Sequence, residues 1–459
     1  MRSLAYVFVV VYIAINTIIF IGIDRNTFLE DIRKFDLYRY AVNQQQSTWP
    51  LFKPCMEERD QNQTYVCKWV NDSRSDSTGN YVMYGSEFAV LHDVIIDPFR
   101  AAGRPGGENM SSVWNQKESE EYFKLKKSYF RLNCRNLPHH PFKGRNHLNG
   151  WFKSVMCVAD LNSTLANQIN GITIAVQRYE YVNLYQTMAD FYNVFLIMIL
   201  FQIPPDTINI LYTDGHPAGM LDDTWQRLFG KIYRAGHLAN ETKFAKMIWN
   251  IQSYNCPLQT CSLPYVPYLE RFRDFFLFQH DVTNMKVLNC SKLSVTIIWR
   301  RDYVAHPRNP SGVIQRKIKN EDEFLESVTE LLRGHEVKAV QLETIPMEKQ
   351  LELVSETDIL VGMHGAGLSH TLFLPKHGGL IELFPAYHNQ GTSHFQALTR
   401  WRRLHYVSWK NEYRGNEYPN KKTYIPPTVA ISKMKKMVEK LCPQTVGVRS
   451  LKHHKKFQS

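Results

Sequence analysis

From residue 291 the chain alternates short apolar runs with amphipathic stretches, and this alternation restricts the folds open to it more than any other feature. Leu293–Ile298, Val337–Leu342, Asp358–Gly362, Leu380–Phe384 and Leu404–Trp409 read as strands. Between and after them, Glu321–Leu332 behind a capping Asn320, Met347–Glu356, a short Ala366–Leu374, Ser393–Arg400 and Thr428–Leu441 carry helical spacing. Strands that take turns with helices pair in parallel, and the helices then cover both faces of the sheet. A less regular version precedes this region, with a strand at Ile172–Val176, a helix over Asn183–Leu200 and a strand at Ile208–Thr213. Residues 24–150 are rich in Asn, Asp, Ser, Gly and Pro and read as a stem and a loop-rich lead-in.

The N-terminus adds a second constraint. Leu4 to Ile23 is an uncharged run of about the length that spans a hydrocarbon core. It is longer than the apolar part of a cleaved leader and lacks a small-residue cleavage site, so a signal anchor is expected. All eight cysteines (Cys55, Cys67, Cys134, Cys157, Cys256, Cys261, Cys290 and Cys442) lie beyond it. Six sequons lie there too, at Asn62, Asn71, Asn109, Asn162, Asn240 and Asn289. Together they point to an oxidising secretory compartment. No Cys-x-x-Cys pair or convincing Asp-x-Asp site occurs, so no metal is expected. The formal charge is +12, and eight Lys or Arg against one Glu fall between Lys433 and Ser459. No recognition motif accompanies this basic end, which reads as a solvated tail and does not point to nucleic acid. The expected organisation is a cytoplasmic tail at 1–3, an anchor at 4–23, the stem and lead-in at 24–150, an acceptor-side lobe at 151–290, a nucleotide-sugar-binding lobe at 291–442 and a basic tail at 443–459.

Chemistry concentrates where predicted strands end. Val361 to His370 runs from a strand through His364-Gly365-Ala366-Gly367 into a helix. Glycines there let backbone N–H groups approach a ligand, and a helix N-terminus suits a diphosphate. Arg300 and Arg301 follow another strand, where ligands of open α/β sheets bind, and their forked donors match phosphate oxygens. Arg308 is a weaker third candidate. Glu382 ends its strand and is placed to accept from ribose hydroxyls. Asp190 shares a polar helix face with Asn183, Thr187 and Asn193, and it is the first candidate for the base that takes an acceptor proton, with Glu180 second. Asp214 and His216 mark a further strand end, on the acceptor side with Tyr179 and Asn183.

These residues resemble glycosyltransferase family 61. Gly362 to His370 followed by Ile381-Glu382-Leu383 is similar to its C-terminal signature. Arg178-Tyr179-Glu180-Tyr181 with Asn183-Leu184, Thr187, Asp190 and Tyr192, then Asp214-Gly215-His216 with Thr224-Trp225, then Arg300-Arg301-Asp302-Tyr303 with Ala305 to Arg308, resemble the branch that transfers β-1,2-xylose to N-glycan cores. The chain departs from that branch at Gln186, Ala189 and Phe191, and Met363 varies within the glycine-turn block. The resemblance spans roughly 150 to 442. It implies an α/β fold of GT-B type, with two Rossmann-like domains facing a cleft, and inversion at the anomeric carbon. It further implies UDP-xylose as donor, the core β-mannose of an N-glycan as acceptor, and no metal; the anchor at Leu4–Ile23 adds the expectation of a single-pass type II Golgi membrane protein. A related O-linked N-acetylglucosaminyltransferase on Ser or Thr, and an inactive lumenal glycan-binding protein, are the alternatives.

Overall fold

The computed structural model describes residues 68–138, 142, 147–161, 167–388 and 394–443. The expected anchor, Cys55, Cys67, Asn62, Asn162 and residues 444–459 lie outside them. The described chain is mixed α/β and is built on two principal sheets.

The second half meets its expectation closely. Ser294–Ile298, Glu336–Val340, Ile359–Met363, Gly379–Phe384 and His405–Lys410 form one five-stranded sheet, and all its pairs are parallel. In order across the sheet they run second, first, third, fourth, fifth along the chain. The chain therefore leaves its first strand toward one edge and returns to build the other, and a crevice opens at the carboxyl ends of Ser294–Ile298 and Ile359–Met363. Ala366–Phe373 is a 3-10 helix. Asn320 precedes the helix Glu321–Leu331, but its side chain makes no cap bond; Oδ1 accepts from Ile425 N–H instead.

In the first half, Asn167–Val176, Ile208–Tyr212, Lys231–Arg234 and Thr242–Trp249 pair in parallel, with Asn167–Val176 between Ile208–Tyr212 and Thr242–Trp249. Phe88–Ile96 continues the sheet antiparallel to Thr242–Trp249, and Tyr81–Tyr84 and Ser73–Ser75 extend it. Phe130–Asn133 also pairs with Phe88–Ile96. These strands lie inside the segment read as loop-rich. Long Gly-, Pro- and Asn-bearing connections, such as 97–129, separate them and mask the alternation of the short runs.

Helix Leu184–Phe201 joins the halves. Asn183 caps it by accepting from the Tyr185 and Gln186 amides, and Gln202 stops it in a left-handed conformation. It is long and apolar enough to cross a membrane, yet 78% of that window is buried inside the protein. A helix that is apolar all round belongs in a core. Its residues share one hydrophobic cluster with Leu368, Leu372 and Phe373 of the second half. Phe276 bridges the two, with ring centroids 5.8 Å from Phe191 and 4.8 Å from Phe373. Polar contacts reinforce the junction: Trp401 Nε1 donates to the Leu263 carbonyl (2.8 Å), and Arg402 Nε to Glu270 (2.7 Å). Disulfides link Cys134 to Cys157 and Cys290 to Cys442, and the second ties the start of the second half to its last helix.

Candidate active site

At the crevice of the second sheet the two predicted arginines part. Beyond the buried strand Ser294–Ile298, Trp299 turns into the core against Phe324. Arg300 lies across the glycine turn, where a Cβ on Gly365 would collide with its Nη1. Its Nε donates to the Gln315 carbonyl (3.1 Å), and no ion pair to it is found among the described residues. Burial, then the nearby charge of Arg316, lower its pKa to about 10. Arg316 has a left-handed backbone (φ 62°), a buried Nε without a hydrogen-bond partner, and a pKa lowered by burial. Two guanidinium groups thus converge, neither in an ion pair among the described residues, with Glu343 exerting only a lesser pull on Arg300, and oxygens of a diphosphate match that deficit. Arg301 points elsewhere. It is about half exposed and pairs with Glu321 (2.6 Å).

His364 is buried and held on several sides. Its Nδ1 lies 2.6 Å from Glu382 Oε1, and its ring centroid is 4.3 Å from that of His388 and 5.2 Å from that of Phe384. The other Glu382 oxygen accepts from Tyr406 Oη (2.7 Å). Glu382 is itself buried and has both oxygens engaged inside the protein, so it orients the imidazole. The 3-10 helix packs on Ile298, and a Cβ on Gly367 would meet Ile298 Cγ2 at an ordinary contact distance of 3.5 Å. Ala366 opens that helix beside the turn.

In the first half, the Gln177–Asn183 loop follows strand Asn167–Val176. Arg178 is fully buried. It binds both Asp214 oxygens (2.7 and 3.2 Å) and Asp222 (3.0 Å), and it lies 3.8 Å over the Tyr212 ring. Burial works against ionised Asp214, but Arg178 holds its pKa below the usual range. His216 Nε2 is 3.0 Å from the Arg178 carbonyl and Nδ1 is 3.2 Å from Glu121. Asp214 and His216 therefore anchor the loop from within. Asn183 is spent as the helix cap.

The polar face of helix Leu184–Phe201 also binds protein. Thr187 donates to the Glu180 carbonyl (3.2 Å), Asn193 to the Ile251 carbonyl (3.2 Å), and Asp190 accepts from Ser253. The Asp190 carboxyl is 1% exposed. Burial pushes it up to about 8, against the pull of the Ser253 bond. Glu180 is the carboxylate that faces the other half. His306 Nε2 is 3.1 Å from one oxygen and Arg308 3.6 Å from the other. Burial opposes its charge, but the hydrogen bond from His306 holds its pKa below the ordinary value. Arg308 also pairs with Glu118 (3.2 Å) and Glu121 (3.6 Å), and the Asn115 amide donates to the Pro307 carbonyl (2.8 Å). One loop, 299–316, thus carries Arg300 and Arg316 at its base and reaches Glu180 at its tip. Arg316, His388 and Tyr406 were absent from the sequence reading. Each sits in a stretch with no motif, and only folding brings it to the glycine turn.

Among proteins of known kind, residues 236–381 match the family model for glycosyltransferase 61. A beta-1,2-xylosyltransferase of Oryza sativa subsp. japonica is 23% identical over 353 residues, 68% of this chain and 66% of that protein. One of Arabidopsis thaliana is 23% identical over 308 residues, 59% of this chain and 55% of that protein. The chain thus spans less than two thirds of the length of either. An EGF domain-specific O-linked N-acetylglucosamine transferase of Drosophila melanogaster is 38% identical over 111 residues, 24% of this chain and 20% of that protein. Residues 236–381, the segment that encloses the glycine turn, Arg300 and Arg316, are thus similar to glycosyltransferase family 61.

Proposed function

We propose that this chain is an inverting, UDP-sugar-dependent glycosyltransferase of GT-B type that moves xylose from UDP-xylose to the core β-mannose of N-glycans in β-1,2 linkage. The observation that carries the reading is the pair Arg300 and Arg316, neither in an ion pair among the described residues, against the Gly365 turn, at the crevice where an open α/β sheet binds ligands. The diphosphate lies on these guanidinium groups and the adjoining backbone, and His364 is oriented toward the same site by Glu382. Glu180 takes the proton of the acceptor hydroxyl. The freed oxygen attacks the anomeric carbon from the face opposite UDP, the bond to the β-phosphate oxygen breaks, and the charge on leaving UDP is met by fixed arginine charge. No metal is needed for that step in this reading. The xylosyl assignment is supported by the two plant relatives, whose similarity extends over 68% and 59% of this chain.

A second reading keeps the fold and site and changes the substrates: N-acetylglucosamine passes to protein Ser or Thr. The 38% identity over 111 residues to the Drosophila protein favours it locally. Incubating the purified chain with a panel of UDP-sugars, a GlcNAc-terminated N-glycan and a Ser/Thr-bearing EGF-type domain separates the two by product mass. The first reading predicts a single pentose on the glycan. An N-acetylhexosamine on the protein domain selects the second.

The uncharged run Leu4–Ile23 further supports a type II Golgi protein with its catalytic body in the lumen. Protein expressed in cells then shifts in gel mobility on endoglycosidase treatment. An unchanged mobility together with a protease-accessible C-terminus in sealed microsomes contradicts this topology.

A further inference from the structure

The first sheet has its own crevice. Asn167–Val176 and Thr242–Trp249 are parallel neighbours, with Ala175 opposite Trp249, so their carboxyl ends open on the same side. The chain leaves Asn167–Val176 for Ile208–Tyr212 on one flank and reaches Thr242–Trp249 on the other only after passing through Lys231–Arg234. The order reverses between these two strands, as it does at the arginine site of the second sheet.

A cavity of about 380 Å³ lies at these ends. Gln177 and Tyr179 enter it from the end of one strand, Gln252 and Tyr254 from the end of the other, and Glu118, Tyr122 and His147 complete its described walls. Its volume falls within the roughly 300–1,000 Å³ usual for ligand sites. The Tyr179 and Tyr254 ring centroids are 4.3 Å apart at 57°, and Tyr254 is half exposed. Tyr122 fixes one of them by donating to the Tyr179 carbonyl (2.9 Å). The Nε2 of His147 is buried with no hydrogen-bond partner among the described residues, and burial lowers the pKa of that imidazole to about 3, leaving it neutral. Glu118 is offset by Arg308 at 3.2 Å.

This lining selects a class of ligand. Among the described residues no Lys or Arg lines the cavity, and the side chains that do line it offer no cation to the phosphates of a nucleotide. Aromatic faces beside two amides, a carboxylate and an unsatisfied imidazole suit a neutral polyol with one C–H face and many hydroxyls, which describes a sugar ring. The cavity is also well placed for chemistry. Tyr179 is followed directly by Glu180, and Arg308 bridges Glu118 and Glu180.

We propose that this cavity binds the acceptor glycan, with a sugar ring lying on Tyr254 and Tyr179 and its hydroxyls held by Gln177, Gln252, Glu118 and His147. The proposal rests on the glycosyl-transfer reading above and assigns to it an acceptor subsite separate from the donor arginines. Full-length chain carrying Tyr254→Ala or Gln252→Ala should show an acceptor KM raised roughly tenfold or more, with donor KM and melting temperature unchanged. Acceptor KM values within twofold of wild type in both variants overturn the proposal. Saturation-transfer NMR on a GlcNAc-terminated N-glycan, without donor, gives a readout independent of turnover. Signal in the wild type that Tyr254→Ala abolishes supports the subsite even if no UDP-sugar is consumed, in which case the transfer reading alone fails. Absence of signal from the wild-type chain overturns the subsite.

Discussion

Two carboxylates were candidates for the base, and their surroundings separate them. Asp190 is enclosed with Ser253 between the long helix and the loops above it, whereas Glu180 meets His306 and Arg308 where the halves approach. Glu180→Gln should therefore lose about 10²–10⁴-fold in kcat at unchanged melting temperature. Asp190→Asn should stay within about threefold of wild type. A stability measurement completes the test. The folded-state pKa of Asp190 is raised to about 8, so the folded state holds this proton more tightly than the unfolded chain. Its contribution is full below about pH 4 and is lost as pH rises toward 8. The melting temperature of Asp190→Asn should thus gain on wild type across that window. A gap that stays constant with pH, or a collapse of Asp190→Asn turnover with Glu180→Gln active, reverses the assignment. Sequence spacing found the polar strip of this helix but not what it faces. Asn183, Thr187, Asp190 and Asn193 do share a side, and that side is covered by residues 179–181 and 251–253, which approach it only through the parallel pairing of two distant strands.

Among the elements, the five parallel strands and the helices between 294 and 441 were legible because each repeats one short pattern and ends at a clear breaker, while the two-residue strands Lys317–Ile318, Glu417–Tyr418 and Lys422–Thr423 were too short to show one. The strands between Ser73 and Asn133 were not, since they are short, widely separated, and stabilised by partners as remote as Thr242–Trp249. Loop 299–316 shows the same limit at the site. Arg300, Arg301 and Arg308 could be read from the sequence and Arg316 could not, while the loop's reach across to Glu180 depends on the Asn115–Pro307 and Arg308–Glu118 contacts. The last helix, Pro427–Leu441, packs Met434 and Met437 on the outer face of the second sheet and is pinned by Cys442 to Cys290 across 152 residues. Because that bond restricts the unfolded chain over a long loop, Cys442→Ser should cost about 2–5 kcal/mol of stability. Denaturant unfolding with and without reductant measures it, and a wild-type chain indifferent to reductant would contradict the linkage.

Across the whole molecule, one core running through Phe191, Phe276 and Phe373 joins the two halves, and the 299–316 loop runs from the end of Ser294–Ile298 to Glu180, just beyond Asn167–Val176. The cationic crevice suits a nucleotide diphosphate and the neutral aromatic one a sugar acceptor, and the 299–316 loop connects them. The central claim is that Arg300, laid on the Gly365 turn, holds the diphosphate by fixed charge. Calorimetric titration of UDP into the full-length chain in excess EDTA tests it directly, with Arg300→Ala and Arg301→Ala as partners. The account predicts binding without a divalent cation, weakened roughly tenfold or more in Arg300→Ala and nearly unchanged in Arg301→Ala, whose side chain is committed to Glu321. Binding that appears only on adding Mn²⁺, or that survives Arg300→Ala intact, would contradict it.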